Sequence, residues 1–315
     1  MLIGIFKSNQ KLVNLLTVVL TIVLWIPAFF SDFKIEFLEE ISSGLRWLDI
    51  LIAIVLISGQ AIYLNVIVGQ YKLVTENSHL SSLMFVVLNS CFILLLSLSQ
   101  LVIANTFVLI AFHQLLKMYN LKNNYAILFN ASLLIALASL IYLPNILYFV
   151  LLWIALIYNT TPKWRDFIIS LIGLSIPILY FASYKYVFSV GFVSYNIDDY
   201  FFNIYNVHWS DFSIFSKTFF CVLCLISIFS FITLFSLLNK SVVRVRKSLI
   251  VVVLMVIIGL STLALNQFDY LATLLVVSIP LAIIFANFFQ NFRKKWIAEV
   301  LFLILIGSIV GGYFS

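Results

Sequence analysis

Charge is scarce in this sequence. Only 10% of the 315 residues are Asp, Glu, Lys or Arg, where a soluble domain carries about 25%. So few charges cannot clothe a water-soluble globule of this size, and the solvent that replaces water is lipid. Charge is absent altogether from the centre of every candidate membrane span. Ionisable groups at mid-depth mark proton relays and charged pores, so their absence argues against a proton-coupled pump and against a channel with charged rings. His113 lies towards the cytoplasmic end of the fourth span instead. Cysteine is rare too: Cys91, Cys221 and Cys224 all fall in apolar runs. Cys221 and Cys224 form a C-x-x-C, but no second ligand pair stands at a metal-binding spacing. They read as small buried side chains and imply no metal site. No basic stretch is long and solvated enough for a nucleic-acid module. Linkers, low-complexity tails and internal repeats are missing as well, which weakens the repeat-built transporter folds.

Long apolar runs take the place of all this. A helix needs about 20 largely apolar residues to cross the hydrocarbon core. Eleven candidate spans fit: Leu12–Phe30, Leu48–Gly69, Leu80–Leu98, Leu101–Met118, Tyr125–Ile141, Leu143–Tyr158, Phe167–Tyr186, Ile214–Leu238, Leu249–Leu265, Leu271–Phe289 and Ile297–Tyr313. Lys7 and Lys11 before the first run resemble a signal peptide, but the run is long and lacks a small-x-small cleavage site, so it reads as a retained span. The expected fold is therefore all-α, a polytopic transmembrane helix bundle of about 11 spans forming one membrane domain over residues 1–315. Only Ser99-Gln100 separates the third and fourth runs, so the segment 80–118 either crosses twice or contains a re-entrant turn.

Loop charge sets the orientation. With a cytoplasmic N-terminus, fourteen of the eighteen Lys and Arg residues fall on the cytoplasmic side, including the Lys240–Lys247 and Arg293–Lys295 loops. That asymmetry is the positive-inside pattern, and it puts the C-terminus outside. Nine of the twelve acids fall outside, among them Asp49 and Asp269 at span boundaries.

Chemistry is best sought in two outer loops and a set of amides. The first outer loop carries Asp32, Glu36, Glu39 and Glu40. Counted from Phe33, the apolar residues Phe37, Leu38, Ile41 and Leu45 recur at spacings of four, five, eight and twelve. An amphipathic helix lying in the interface fits that pattern. Carboxylates held at a membrane surface suit a general base or a divalent-metal ligand; they equally suit a solvated acidic face. The fourth outer loop holds Asp198, Asp199, His208 and Trp209 with several tyrosines. Rings beside carboxylates suit a sugar or headgroup, and equally an aromatic belt. Within the spans lie Asn14, Gln60, Asn65, Asn89, Asn105, Asn130 and Asn287. Such amides either line a polar cavity, with Asn65 and Asn105 as substrate contacts, or tie helices together. Pro27, Pro177 and Pro280 interrupt spans, and Gly307-x-x-x-Gly311 permits close helix packing.

Three signatures carry a resemblance: Tyr142-Leu143-Pro144; Thr161-Pro162-Lys163-Trp164-Arg165-Asp166-Phe167 with Gly173 and Ile176-Pro177; and Ile279-Pro280-Leu281 leading to Arg293-Lys294-Lys295-Trp296-Ile297-Ala298-Glu299. In these the chain resembles, over nearly its whole length, an integral membrane family of unknown function widespread in flavobacteria and related bacteria. The resemblance implies a multi-pass protein of the bacterial cytoplasmic (inner) membrane and no catalytic residue. In the placing of its first-loop carboxylates the chain is more loosely similar to polytopic glycosyltransferases that use lipid-linked sugar donors. It departs from them in its short length, its Glu-Glu pair and its lack of a soluble outer domain.

Three functions follow as expectations. The first is a membrane enzyme acting at the outer face on a lipid-linked substrate, glycosyl in the nearest analogy, through Asp32, Glu36, Glu39 and Glu40. The second is a carrier or flippase for a lipid or polar metabolite, working through the interior amides. The third is a non-catalytic assembly factor. Expected partners are membrane lipids and, for the enzyme, the lipid-linked substrate, with no nucleic acid.

Overall fold

In a computed structural model of the chain, the structure describes residues 6, 12–30, 46–75, 78–119, 124–187, 213–265, 269–292 and 295–314. Among these residues lie eleven α-helices and no strand. They are α1 (Leu12–Trp25), α2 (Arg46–Tyr71), α3 (Leu80–Asn89), α4 (Gln100–Lys117), α5 (Tyr125–Ile141), α6 (Tyr148–Asn159), α7 (Trp164–Val187), α8 (Ile214–Lys240), α9 (Val243–Leu265), α10 (Tyr270–Asn291) and α11 (Lys295–Tyr313). Six of them, α2, α4, α7, α8, α10 and α11, are long and apolar enough to cross a membrane. On α8 the side chains of Leu225, Ile228, Phe229, Ile232 and Phe235 are all exposed. A continuous apolar face of that kind belongs against lipid and not against water.

Local chemistry explains several helix ends. The Ser216 amide donates to the Ser213 hydroxyl at 3.2 Å, which caps α8. Asp269 caps α10, its carboxylate accepting the Ala272 amide at 3.0 Å. At the start of α7 the Lys163 amide donates to the Asp166 carboxylate at 2.7 Å, one half of a capping box. That bond gives the Lys163-Trp164-Arg165-Asp166 stretch a purely structural reason. α2 ends in a Schellman motif: Leu73 N–H bonds the Val68 carbonyl at 3.0 Å and Lys72 N–H the Gly69 carbonyl at 3.4 Å. Lys72 occupies the left-handed position, with φ 51.

Two compact units divide the chain. The first comprises Met1–Val102, Val207–Arg246 and Ser278–Ser315, and the second Ile103–Asn206 and Lys247–Val277. In the first unit α2 packs on α1 and α3, and α8 packs along α11. Gly311 permits the α8–α11 approach, since a Cβ there would lie 2.6 Å from the Phe215 ring, whereas Gly307 has nothing within 4 Å. Only the second half of the Gly307-x-x-x-Gly311 pattern therefore serves packing. In the second unit α5 packs along α7. A Cβ on Gly173 of α7 would run into Ser132 Oγ and stand 2.8 Å from the Phe129 carbonyl oxygen. Lys247, in the first turns of α9, donates to the Tyr158 carbonyl at 2.8 Å and lies over the Tyr119 and Tyr158 rings at 5.6 and 5.2 Å. The side chain thus joins the ends of α4 and α6 to α9.

Other expectations need correction. The third run, Leu80–Leu98, is not one helix. α3 stops after ten residues, about 15 Å of rise and half the hydrocarbon thickness. The chain from Ser90 to Ser99 then runs without α-helix, apart from one 3-10 turn at Ile93–Leu95. Pro27 ends α1 in a 3-10 turn, but Pro177 and Pro280 sit inside continuous helices. Cys91 is buried as expected, while Cys221 and Cys224 are exposed on α8. A C-x-x-C on a helix puts both thiols on one face, and this face is not a packed one.

Candidate functional site

The non-helical stretch after α3 is the most distinctive feature of the first unit. Lipid cannot satisfy free backbone amides and carbonyls, so non-helical chain at membrane depth must be buried in protein or line a cavity. α3 is buried at every position, and Ser90, Cys91, Phe92, Leu95, Leu96, Leu98 and Ser99 are buried as well. Long-range contacts hold the break in place. The Trp25 indole N–H donates to the Ser90 hydroxyl at 3.0 Å, and the Tyr313 hydroxyl donates to the Ser90 carbonyl. Phe92 packs edge-on against Phe219 at 5.4 Å and beside Phe220 at 5.2 Å. The C-terminal ends of α1 and α11 and the N-terminal third of α8 thus meet at one end of the unit, around Ser90 and Phe92. Asn89 donates to the Phe85 carbonyl at 2.8 Å, and its Oδ1 has no hydrogen-bond partner among the described residues.

A second polar cluster lies at the other end of α3. Ser81 Oγ donates to Asn65 Oδ1 at 2.9 Å, and Asn65 Nδ2 lies 2.8 Å from His79 Nδ1. His79 is 6% exposed, and burial holds its imidazole below the usual value. Its backbone N–H donates to the Phe6 carbonyl at 2.9 Å. Nearby, Asn287 Nδ2 donates to the Leu73 carbonyl at 2.8 Å and Thr75 to Asn291 Oδ1 at 3.3 Å. Arg244 stands over the Tyr71 ring at 5.7 Å. His79 escaped the sequence reading because it sits outside the apolar runs. The available signal was an Asn within reach of the last turns of the preceding span and a hydroxyl two residues on.

The interior amides are engaged through their nitrogens, while Asn105 Oδ1 and Asn287 Oδ1 are buried with no hydrogen-bond partner among the described residues. Gln60 Nε2 donates to the Val102 carbonyl at 2.8 Å, Asn105 Nδ2 to the Leu275 carbonyl at 2.9 Å, and Asn287 to Leu73 as above. Each bonds main chain belonging to another segment, the usual way buried amides fasten helices. Asn130 is exposed and lines no interior. In the second unit a cavity of about 10 Å³ lies among Val108, Phe112, Ile135, Tyr148, Leu151 and Met255. It has room for about one water and is lined by apolar groups, so it suits no metabolite.

The carboxylates Asp32, Glu36, Glu39 and Glu40 lie outside the described residues, as do Asp198, Asp199, His208 and Trp209. Of the predicted site residues, Asn65 and Asn105 are described. Asn65 belongs to the first unit and Asn105 to the second. Among the described residues no group of three His, Cys, Asp or Glu side chains could hold a metal ion. No protein-family model matches the chain, and no curated protein or solved structure is similar to it.

Proposed function

We propose that the chain is a multi-pass enzyme of the bacterial cytoplasmic membrane that acts at the outer face on a lipid-linked substrate, with a glycosyl group as the nearest precedent. In this reading Asp32, Glu36, Glu39 and Glu40 supply the reacting carboxylates, and Asp198, Asp199, His208 and Trp209 contact the substrate. The observation that carries it is the convergence around Ser90. The first acidic segment leaves the described chain at Phe30, a few residues beyond Trp25. The second rejoins it at Ser213, just before the α8 segment whose Phe219 and Phe220 pack on Phe92. The described residues Phe30 and Ser213, which flank one end of each acidic segment, thus belong to the first unit.

Eleven passages, with a cytoplasmic N-terminus and an outer C-terminus, fit this reading. Lys247 joins the ends of α4 and α6 to α9, a set of loops the basic-residue pattern assigns to one side. α3 and the non-helical chain after it together make the third passage: His79 pairs near the end of α2, and Ser90 meets the far ends of α1 and α11. The carrier reading is weaker because Gln60, Asn105 and Asn287 each bond main chain of another segment through the amide nitrogen, and the cavity described in the second unit is apolar and holds about one water.

The test is turnover by the nanodisc-embedded protein of a polyprenyl-phosphate-linked sugar. Glu39→Gln and Glu40→Gln are expected to lower the rate by about a hundredfold with the melting transition unchanged. No turnover by the wild type, or full turnover in both variants, contradicts the proposal.

A further inference from the structure

We propose that Ser81, Asn65 and His79 form a reversible proton-binding relay, in which proton uptake by His79 reverses the direction of both hydrogen bonds. The geometry supplies two complete states. In the structure Ser81 donates to Asn65 Oδ1, and the Asn65 amide donates to His79 Nδ1. His79 Nδ1 is then an acceptor, and the ring carries its proton on Nε2. A second proton on the ring turns Nδ1 into a donor, facing the Asn65 N–H₂ at 2.8 Å. Rotation of the Asn65 carboxamide by half a turn resolves that conflict. Oδ1 then accepts from His79, and Nδ2 donates to Ser81 Oγ, which has lone pairs to receive it. Both states keep the Ser81–Asn65 and Asn65–His79 hydrogen bonds, with donor and acceptor exchanged in each. The Ser81 hydroxyl proton then turns to a new acceptor; Ser78 Oγ and Ser82 Oγ, its near neighbours in sequence, are buried with no partner among the described residues.

Nothing charged among the described neighbours competes for this proton. α1 carries no titratable side chain; α2 brings the neutral Tyr63 and Tyr71 to this end, while its Arg46 and Asp49 lie in its first turn, more than four turns before Asn65. Lys72 is exposed, and Arg244 is turned onto the Tyr71 ring. The relay links α2 to the start of α3, so proton uptake acts on the helix whose far end holds the Ser90 break. It stands independently of the outer-face activity proposed above.

The experiment is ¹⁵N-histidine NMR of the nanodisc-embedded chain with His113→Gln and His208→Gln, so that His79 is the sole imidazole. At neutral pH the spectrum is expected to show Nε2 protonated and Nδ1 bare, with the ring titrating below an ordinary histidine. Asn65→Leu removes a neutral donor from one state and an acceptor for a charged donor from the other. The second bond is the stronger, so the variant should bind the proton about tenfold more weakly. A ring protonated on Nδ1 at neutral pH overturns the assignment. Titration at the ordinary value, unmoved by Asn65→Leu, overturns the relay. Because the tautomer is read directly in the chain that keeps Asn65, a poorly folded Asn65→Leu variant does not shield the proposal.

Discussion

Replacing Gly173 by alanine tests how α5 and α7 are held together. The new Cβ would run into Ser132 Oγ and approach the Phe129 carbonyl oxygen to 2.8 Å. Ser132 is engaged with that same carbonyl at 2.9 Å, so it cannot turn away without losing a bond. The carbonyl belongs to helical backbone and cannot give cheaply. Overpacking of this kind costs about 3 kcal/mol at its upper end. Alanine returns about 1 kcal/mol through its higher helix propensity, which leaves a net loss of about 2 kcal/mol. Ser132→Ala on the Gly173→Ala background removes the hydroxyl and leaves the carbonyl contact, so about half of the loss should return. Equilibrium unfolding in mixed micelles by a graded denaturing detergent measures both. A Gly173→Ala protein as stable as the wild type, or a double variant no better than the single, would refute this account of the packing.

Three further outcomes are expected. Gly307→Ala should be neutral or stabilising by up to about 1 kcal/mol, since nothing lies within 4 Å of the new Cβ; Gly311→Ala should lose stability, by under about 1 kcal/mol because the half-exposed Phe215 ring can move aside. Lys72→Gly should stabilise by about 1 kcal/mol, because glycine occupies the left-handed position without the Cβ conflict; an unchanged unfolding midpoint would show that the Lys72 side chain compensates. His79, whose folded-state value is depressed below the ordinary 6.5, contributes stability that is complete above pH 6.5 and is lost as pH falls towards the folded-state value. A thermal-melting series over that range should show the fall in the wild type and a smaller one in His79→Gln.

Much of the helical framework was legible because hydropathy reports burial in lipid directly. The Tyr125–Ile141 run coincides with α5, and the run from Ile214 matches α8 to within two residues. The break after Asn89 was not legible. Leu80–Leu98 contains no proline, glycine or charge, and its serines are tolerated in membrane helices. What stops the helix is tertiary: Trp25 and Tyr313, 65 and 223 residues away, supply donors to Ser90. The role of the amides was hidden for the same reason. Asn105 and Asn287 find their carbonyl partners 170 and 214 residues away, and one sequence does not encode such pairings in any local pattern. The exposure of Cys221 and Cys224 was not legible because an apolar run does not say which face of a helix is packed and which is not. His79 was not legible because it stands outside the apolar runs, while its partners Asn65 and Ser81 straddle a span end.

The central claim is that both acidic segments open on the outer face, opposite the basic loops. Single cysteines placed at Glu39, Asp199 and Ser241, in a background with Cys91, Cys221 and Cys224 replaced by alanine, test it most directly with a membrane-impermeant maleimide on intact cells. The account predicts that Glu39→Cys and Asp199→Cys are labelled at once and that Ser241→Cys is labelled only after the membrane is opened. Labelling of Glu39→Cys and Asp199→Cys from opposite sides would separate the two acidic segments and contradict the account.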